Sequence, residues 1–210
     1  GYVPVAGQRA APTFAFRSLG KPFMIFMVIV GLFDLGNSSD AFLVLRAQER
    51  GLSVAGILGM LITITFVYTV ISTPAGALSD RIGRRTIIIG GWLAYAAIYL
   101  GFGLAQTAWQ IWVLYALYGL YYGLAYGTAK ALVADLVPGA VRGTAYGTYN
   151  AILGLLDFPA SAIAGVLWQG IGGWQGFGPS APFIFGSLLA LLAALLLGIS
   201  GIGRASPLGQ

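Results

Sequence analysis

The stretch GALSDRIGRR, Gly76 to Arg85, places one acid and three arginines within ten residues of a chain that is 58% hydrophobic and only 8% charged. Its reading decides the fold, because charge this dense must sit where the rest of the chain leaves room for water. A mean hydropathy of +0.86, with a charged fraction about a third of the usual quarter, is incompatible with a soluble domain, whose surface must face water. The chain is solvated by lipid.

Working outward from the motif, the flanking apolar runs are continuous and do not alternate with polar residues. That excludes an antiparallel barrel and predicts an all-α, polytopic membrane bundle. The 32 glycines follow no triplet period and suit helices that approach one another through small residues. A bilayer core about 30 Å thick takes about 20 helical residues. Six such segments can be cut from the sequence, at 22–46, 54–78, 86–105, 109–136, 143–169 and 181–203. Breakers separate them: RGLSV, the opening motif, AQTAW, VPGAVRG and GIGGWQGFGPSAP. The expected organisation is a lead-in over 1–21, a six-helix transmembrane bundle over 22–203 and a tail over 204–210. The lead-in is basic and punctuated by proline and glycine, and it lacks the apolar core of a signal peptide.

An even number of spans returns both termini to one side. That side holds Arg9, Arg17, Lys21, Arg81, Arg84, Arg85, Arg142 and Arg204, while the other holds Arg46 and Arg50, with Lys130 inside a span. The positive-inside rule makes both termini and the opening motif cytoplasmic. The high isoelectric point, near 9.6, is thereby accounted for by topology, and no nucleic-acid partner is expected. Trp109, Trp112, Trp168 and Trp174 fall near the outer interface, where amphipathic rings prefer to sit; Trp92 does not fit that belt.

The opening motif is thus a short turn between the second and third spans. Gly76 and Gly83 allow close backbone approach, Asp80 suits a helix N-terminus, and the arginines suit acids or lipid phosphates. On Gly76, Leu78, Asp80, Arg81, Gly83, Arg84 and Arg85 the loop resembles the signature found after the second helix of each six-helix half in the major facilitator superfamily. A second likeness lies at VADLVPGAVRGTAYGTYN, where Asp135, Pro138, Arg142, Gly143, Gly147 and Asn150 are similar to the family's junction between the fourth and fifth helices. A transporter of this family has two such halves and this chain has one. The lead-in resembles the central loop, and LGNSSDAFLVLRAQERGLS resembles the start of a C-terminal half, so the expected identity is a C-terminal half, either a half-size protein or one piece of a longer one.

The resemblance implies that the first and fourth helices line the transport cavity, and the intramembrane polar residues concentrate there. The first span carries Asp34, Asn37, Ser38, Ser39 and Asp40, with Asp34, Asn37 and Ser38 spaced to share a face. The fourth carries Tyr118, Tyr122, Tyr126 and Lys130, spaced by four, an aromatic stripe ending in an ammonium. The fifth adds Tyr146, Asn150 and Asp157, with Pro159 just beyond. Helix rise puts Asp34 about 18 Å from the start of its span and Lys130 about 9 Å from the end of its own, close enough for the lysine to bridge much of the gap. The expected solute and proton pathway is Asp34, Asn37, Asp40, Tyr122, Tyr126, Lys130, Asn150 and Asp157. The expected gate is Gly76, Asp80, Arg81, Gly83, Arg84, Arg85, Asp135 and Arg142; the resemblance implies that Arg81 pairs with Asp135 and that Asp80 caps a helix of the missing half.

The chain has no cysteine and no histidine, so thiolate and imidazole metal sites are excluded, and no cofactor is expected. No phosphate-binding glycine loop is present, and no nucleophile stands with a base, which leaves an ion gradient as the energy source and argues against an enzyme. Two functions remain. The first is a secondary transporter half in a bacterial cytoplasmic membrane, moving a small solute against a second six-helix half, from a second copy or another subunit. The alternative is a non-transporting scaffold or accessory subunit that keeps the transporter fold. An open polar cavity would favour the first, and a face packed shut would favour the second.

Overall fold

Glycine and short polar residues set the ends of the helices. The structure, a computed structural model, describes residues 19–203; residues 1–18 of the lead-in and the whole tail, with Arg9, Arg17 and Arg204, lie outside the described residues. Helix α1 runs Gly20–Gly36 and α2 runs Ala41–Glu49. The Ser53 hydroxyl accepts from the Gly56 N–H and starts α3, Val54–Ile82. Gly83, at φ +90°, makes the tight turn into α4, Arg84–Leu104, a conformation open to glycine and closed to most other residues. Gln110 accepts from the Thr107 N–H at the start of α5, Ala108–Tyr121. A π-helical turn, Tyr122–Tyr126, joins α5 to α6, Gly127–Asp135. After a 3₁₀ turn at Gly139–Val141 come α7, Arg142–Gln169, and α8, Ala181–Ser200.

Two expected spans are not single α-helices. The segment 22–46 is broken at Asn37–Asp40, between α1 and α2, and the segment 109–136 is interrupted by the π turn. The other four match their helices to within a few residues. Among the described residues, five helices or helix pairs are long and apolar enough to cross a membrane: Gly20–Glu49, Val54–Ile82, Arg84–Leu104, Gly139–Gln169 and Ala181–Ser200. Pro74 and Pro159 lie inside α3 and α7, which continue through them.

α4 packs on α8 and α8 on α1, and the core runs from these three helices into α5 and α6. Gly36 and Gly186 meet where α1 crosses α8: a Cβ added at Gly36 would stand 2.9 Å from the Cβ of Leu189 and 3.0 Å from the Cα of Gly186. This is small-residue packing of the kind lipid-solvated helices use. Trp92 is buried in that core, stacked on Phe33 at 4.9 Å, which is why it stands apart from the interfacial tryptophans. Trp109 and Trp174 are exposed at the end of the bundle opposite the arginine-rich turn.

Arginines close several helix ends. Arg46, expected at the end of the first span on the side opposite the termini, is 1% exposed. Its guanidinium donates to the carbonyls of Phe102 (3.0 Å), Gly103 (2.9 Å) and Ala105 (3.3 Å) and pairs with Glu49 at 2.6 Å. These carbonyls end α4 and have no partner within the helix, so Arg46 satisfies the orphan acceptors and opposes the negative end of the dipole. At the other end of the bundle Arg85 donates to the Leu197 and Gly198 carbonyls ending α8, and Arg142 to the Ala134 carbonyl near the end of α6.

By contrast α3 and α7 bury little. Leu58, Ile62 and Phe66 on α3, and Leu155 and Phe158 on α7, are exposed.

Replacing Arg46 with Met keeps most of the volume and removes every donor. The expected loss is about 3 kcal/mol, because the Phe102 and Ala105 carbonyls lose their buried donor and Glu49 keeps only the more distant Arg50. Thermal unfolding in detergent should show a clear fall in midpoint for Arg46→Met and a smaller one for Arg46→Lys; no change for either would contradict the capping role.

Candidate functional site

The break in the first span organises the interior of the bundle. Chain direction is kept across it by local bonds: the Asn37 N–H donates to the Asp34 carbonyl at 2.9 Å and the Phe42 N–H to the Ser39 carbonyl at 2.9 Å. The Asn37 side-chain oxygen points into a cluster of tyrosines. It accepts from the Tyr95 hydroxyl at 3.1 Å, from Tyr118 at 3.3 Å and from Tyr99 at 3.5 Å. The Tyr118 hydroxyl also lies 3.4 Å from a carboxylate oxygen of Asp40, so one phenol spans both ends of the break. Across it, the Ser39 N–H faces the Ser161 hydroxyl of α7 at 3.4 Å. Tyr95, Tyr99 and Tyr118 are fully buried and stack against Tyr121 and Phe183, so the hydroxyls are held by packing.

A cavity of about 470 Å³ opens at the break. Asn37, Ser38, Ser39 and Asp40 form one wall, Tyr122 a second, and Asp157, Phe158 and Ser161 of α7 a third. A second cavity, about 290 Å³, lies between α3 and the π turn with α6, lined by Tyr68, Ser72, Gly76, Asp80, Tyr122 and Thr128 among others. Tyr122 belongs to both. The two cavities therefore adjoin at Tyr122 as two separate pockets of a recess, the smaller bordered by α3 and the larger by α7.

The expected stripe on the fourth span divides at the π turn. Four residues along an ordinary α-helix advance the direction by about 40° beyond a full turn, whereas a π turn takes in the extra residue. Tyr118 is buried against Asn37, Tyr122 is half-buried in the recess, and Tyr126 is exposed with the Lys130 ammonium 4.5 Å from its ring centre. Lys130 does not reach Asp34. Asp34 is 8% exposed, and its Oδ2 has no hydrogen-bond partner. Of the expected pathway residues, then, Asn37, Asp40, Tyr122 and Asp157 share the larger cavity; Asp34 is buried on α1, and Tyr126, Lys130 and Asn150 line neither cavity.

The arginine-rich turn is correspondingly rearranged. Asp135 pairs with Arg84, at 3.0 Å, and not with Arg81, which is exposed. Arg84 also lies 3.7 Å from Asp80, so it bridges the end of α3 to the end of α6. Asp80 sits within the last turn of α3 and caps no helix start among the described residues; Gly83 occupies the position before α4. Gly76 and Asp80 line the smaller cavity, and Arg85 and Arg142 donate to helix-end carbonyls.

Sequence reasoning did not single out Tyr95, Tyr99, Ser161 or Phe158. The first two are spaced by four on α4 in a run otherwise read as apolar, and only their meeting with Asn37 gives them meaning. The break itself had a signal: GNSSD, Gly36–Asp40, has the composition of a loop.

The chain matches the family model described as Major Facilitator Superfamily over residues 14–206. It is 36% identical over 187 residues to an uncharacterised MFS-type transporter of Methanocaldococcus jannaschii, an alignment covering 86% of this chain and 45% of that protein. Shorter likenesses link it to multidrug resistance protein MdtG of Salmonella typhi, 38% identical over 84 residues (38% of this chain, 21% of that protein), and of Enterobacter lignolyticus, 41% over 63 residues (30% and 15%). The chain spans less than half the length of these relatives.

A double-mutant cycle should assign the ion pair. Arg84 and Asp135 are both partly exposed, so the expected coupling is about 0.5–1 kcal/mol between Arg84→Gln and Asp135→Asn in unfolding experiments. The same cycle with Arg81→Gln should give none; coupling through Arg81 alone would reverse the assignment.

Proposed function

The chain belongs to the Major Facilitator Superfamily, and on that premise we propose that it is one six-helix half of a secondary active transporter, which moves a small solute by alternating access against a second half. Counting the helical run Ala108–Asp135 as a span despite its π turn gives six, with both ends on one side. The positive-inside rule then puts Arg81, Arg84, Arg85 and Arg142 on the cytoplasmic face of a bacterial cytoplasmic membrane.

The observation that carries the reading is the interrupted first span opening onto a polar cavity. A helix is broken at membrane depth where it lines a cavity or is enclosed by protein, and transporters use such breaks to place backbone and side-chain groups at the solute. Asn37, Asp40, Tyr122 and Asp157 are the solute-facing residues in this account. A scaffold of the same fold would gain by closing the recess, so its openness favours transport over the accessory-subunit reading.

The second half seats on the rims of the recess, the exposed faces of α3 and α7, with the first and fourth spans behind them. It is either a second copy of this chain or another six-helix segment. The Arg84–Asp135 pair, joining the start of α4 to the end of α6 at the cytoplasmic end, holds one state of the cycle, and Asp80 beside it faces the partner. The name of the Salmonella relative suggests small organic solutes as the class carried.

Energy enters through Asp34. A buried carboxyl group with an unpartnered oxygen, beside the break but outside the cavity wall, is placed to carry a proton in step with the solute. In sealed proteoliposomes containing the protein with its second half, and a panel of labelled organic solutes, Asp34→Asn should lower gradient-driven accumulation at least tenfold and leave solute exchange intact. Accumulation at the unaltered level would remove Asp34 from coupling, and the absence of any solute movement by the unaltered protein would favour the accessory role.

A further inference from the structure

The fold sorts the six carboxylates of the chain into two sets. Glu49 meets Arg46 and Arg50, and Asp80 and Asp135 both meet Arg84. Asp34, Asp40 and Asp157 are in no ion pair among the described residues, and these three surround the break in the first span. Asp40 and Asp157 line its cavity, and the buried Asp34, whose Oδ2 is unpartnered, lies within electrostatic reach of Asp157.

The basic groups on the neighbouring elements are engaged elsewhere. Arg46 holds the carbonyls ending α4, Arg142 holds the Ala134 carbonyl, and the Lys130 ammonium lies over Tyr126. Among the described residues, no basic side chain lines the cavity. Carboxylates left uncompensated at membrane depth are costly, so an occupant that brings positive charge is favoured over one that does not.

Size and the remaining walls narrow the choice. About 470 Å³ lies in the usual range for small-molecule sites and exceeds the share of one water, about 30 Å³, by more than tenfold. A bare metal cation would leave most of it unfilled. Tyr122 and the exposed Phe158 offer aromatic faces, which attract ammonium groups and cover apolar surface, while carboxylates take N–H donors in charge-assisted hydrogen bonds.

We infer that the cavity at the break binds an organic ammonium ion, its N–H groups on Asp40 and Asp157 and its apolar body against Tyr122 and Phe158. The inference rests on the transporter reading for the premise that this recess takes a solute.

Three probes share one phenethyl body and differ in the end group: phenethylamine, phenethyl alcohol and hydrocinnamate. Equilibrium binding of labelled phenethylamine is measured on the detergent-purified protein with its second half, with the other two and sodium chloride as competitors. Unlabelled amine should displace the label at least tenfold more effectively than the alcohol, and hydrocinnamate should not displace it. Asp157→Asn should weaken binding about tenfold and Phe158→Ala several-fold, with both variants still purifying as the complex with the second half. Tighter binding of hydrocinnamate, equal displacement by sodium, or unaltered binding in Asp157→Asn would overturn the inference. Amine binding in the expected pattern, without solute movement in sealed vesicles, would support the ammonium site and overturn the transporter reading; transport of an acidic solute without amine binding would do the reverse.

Discussion

A helix interrupted inside a membrane must find partners for the backbone groups it frees, since lipid supplies none. The first span meets this constraint at Asn37–Asp40 with a small number of side chains. The Asn37 oxygen receives hydroxyls from Tyr95 and Tyr118, the Ser39 N–H faces Ser161, and the Tyr95 hydroxyl lies 3.4 Å from the Gly36 carbonyl. The partners come from three helices, so the break can exist only when α4, α5 and α7 are packed around it. The aromatic core from Phe33 to Phe183 supplies that packing, and the close crossing of Gly36 and Gly186 holds α1 in register against α8.

The charges are arranged around the same requirement. Arg46, Arg85 and Arg142 act on carbonyls at or near the ends of α4, α8 and α6, and Arg84 gathers Asp80 and Asp135. These contacts lie towards the ends of the bundle and stabilise it as a scaffold. What is left over lies in the middle: Asp34, Asp40 and Asp157, without ion-pair partners, beside a recess whose rims are the two least buried helices. Stabilising contacts at the ends and unpartnered polar groups at the centre are the division expected of a protein that holds its ends while its middle receives a solute.

Much of this was legible in the sequence. Continuous apolar runs and their breakers located the helices, and the Gly83 turn could be read from a glycine between charged residues. The motif residues put Asp80, Arg84 and Asp135 at one end, where the structure joins them. Which arginine meets Asp135 was not legible, because Arg81 and Arg84 differ only in where the last turn of α3 and the first of α4 point them. Arg46 was read only as a charge on the side opposite the termini, since nothing local to it announces that α4 ends within its reach. The break was absorbed into one expected span because apolar runs flank it on both sides, although GNSSD itself carries loop composition. The π turn left the four-residue spacing of the tyrosines intact and so gave no sign. Of the residues grouped by the sequence as a pathway, Asn37, Asp40, Tyr122 and Asp157 meet at one cavity; Lys130 stands apart, because its ammonium settles on the ring one turn away.

The account depends on the break facing water and solute rather than lipid. The chain has no cysteine of its own, so the most direct measurement is the reactivity of a single cysteine, Ser39→Cys, toward a membrane-impermeant thiol reagent applied to each side of the membrane in turn. The account predicts reaction from the aqueous phase, slowed when a transported solute is present and unchanged when it is replaced by one that is not carried. Reaction confined to a lipid-soluble reagent, with no response to any solute, would contradict it.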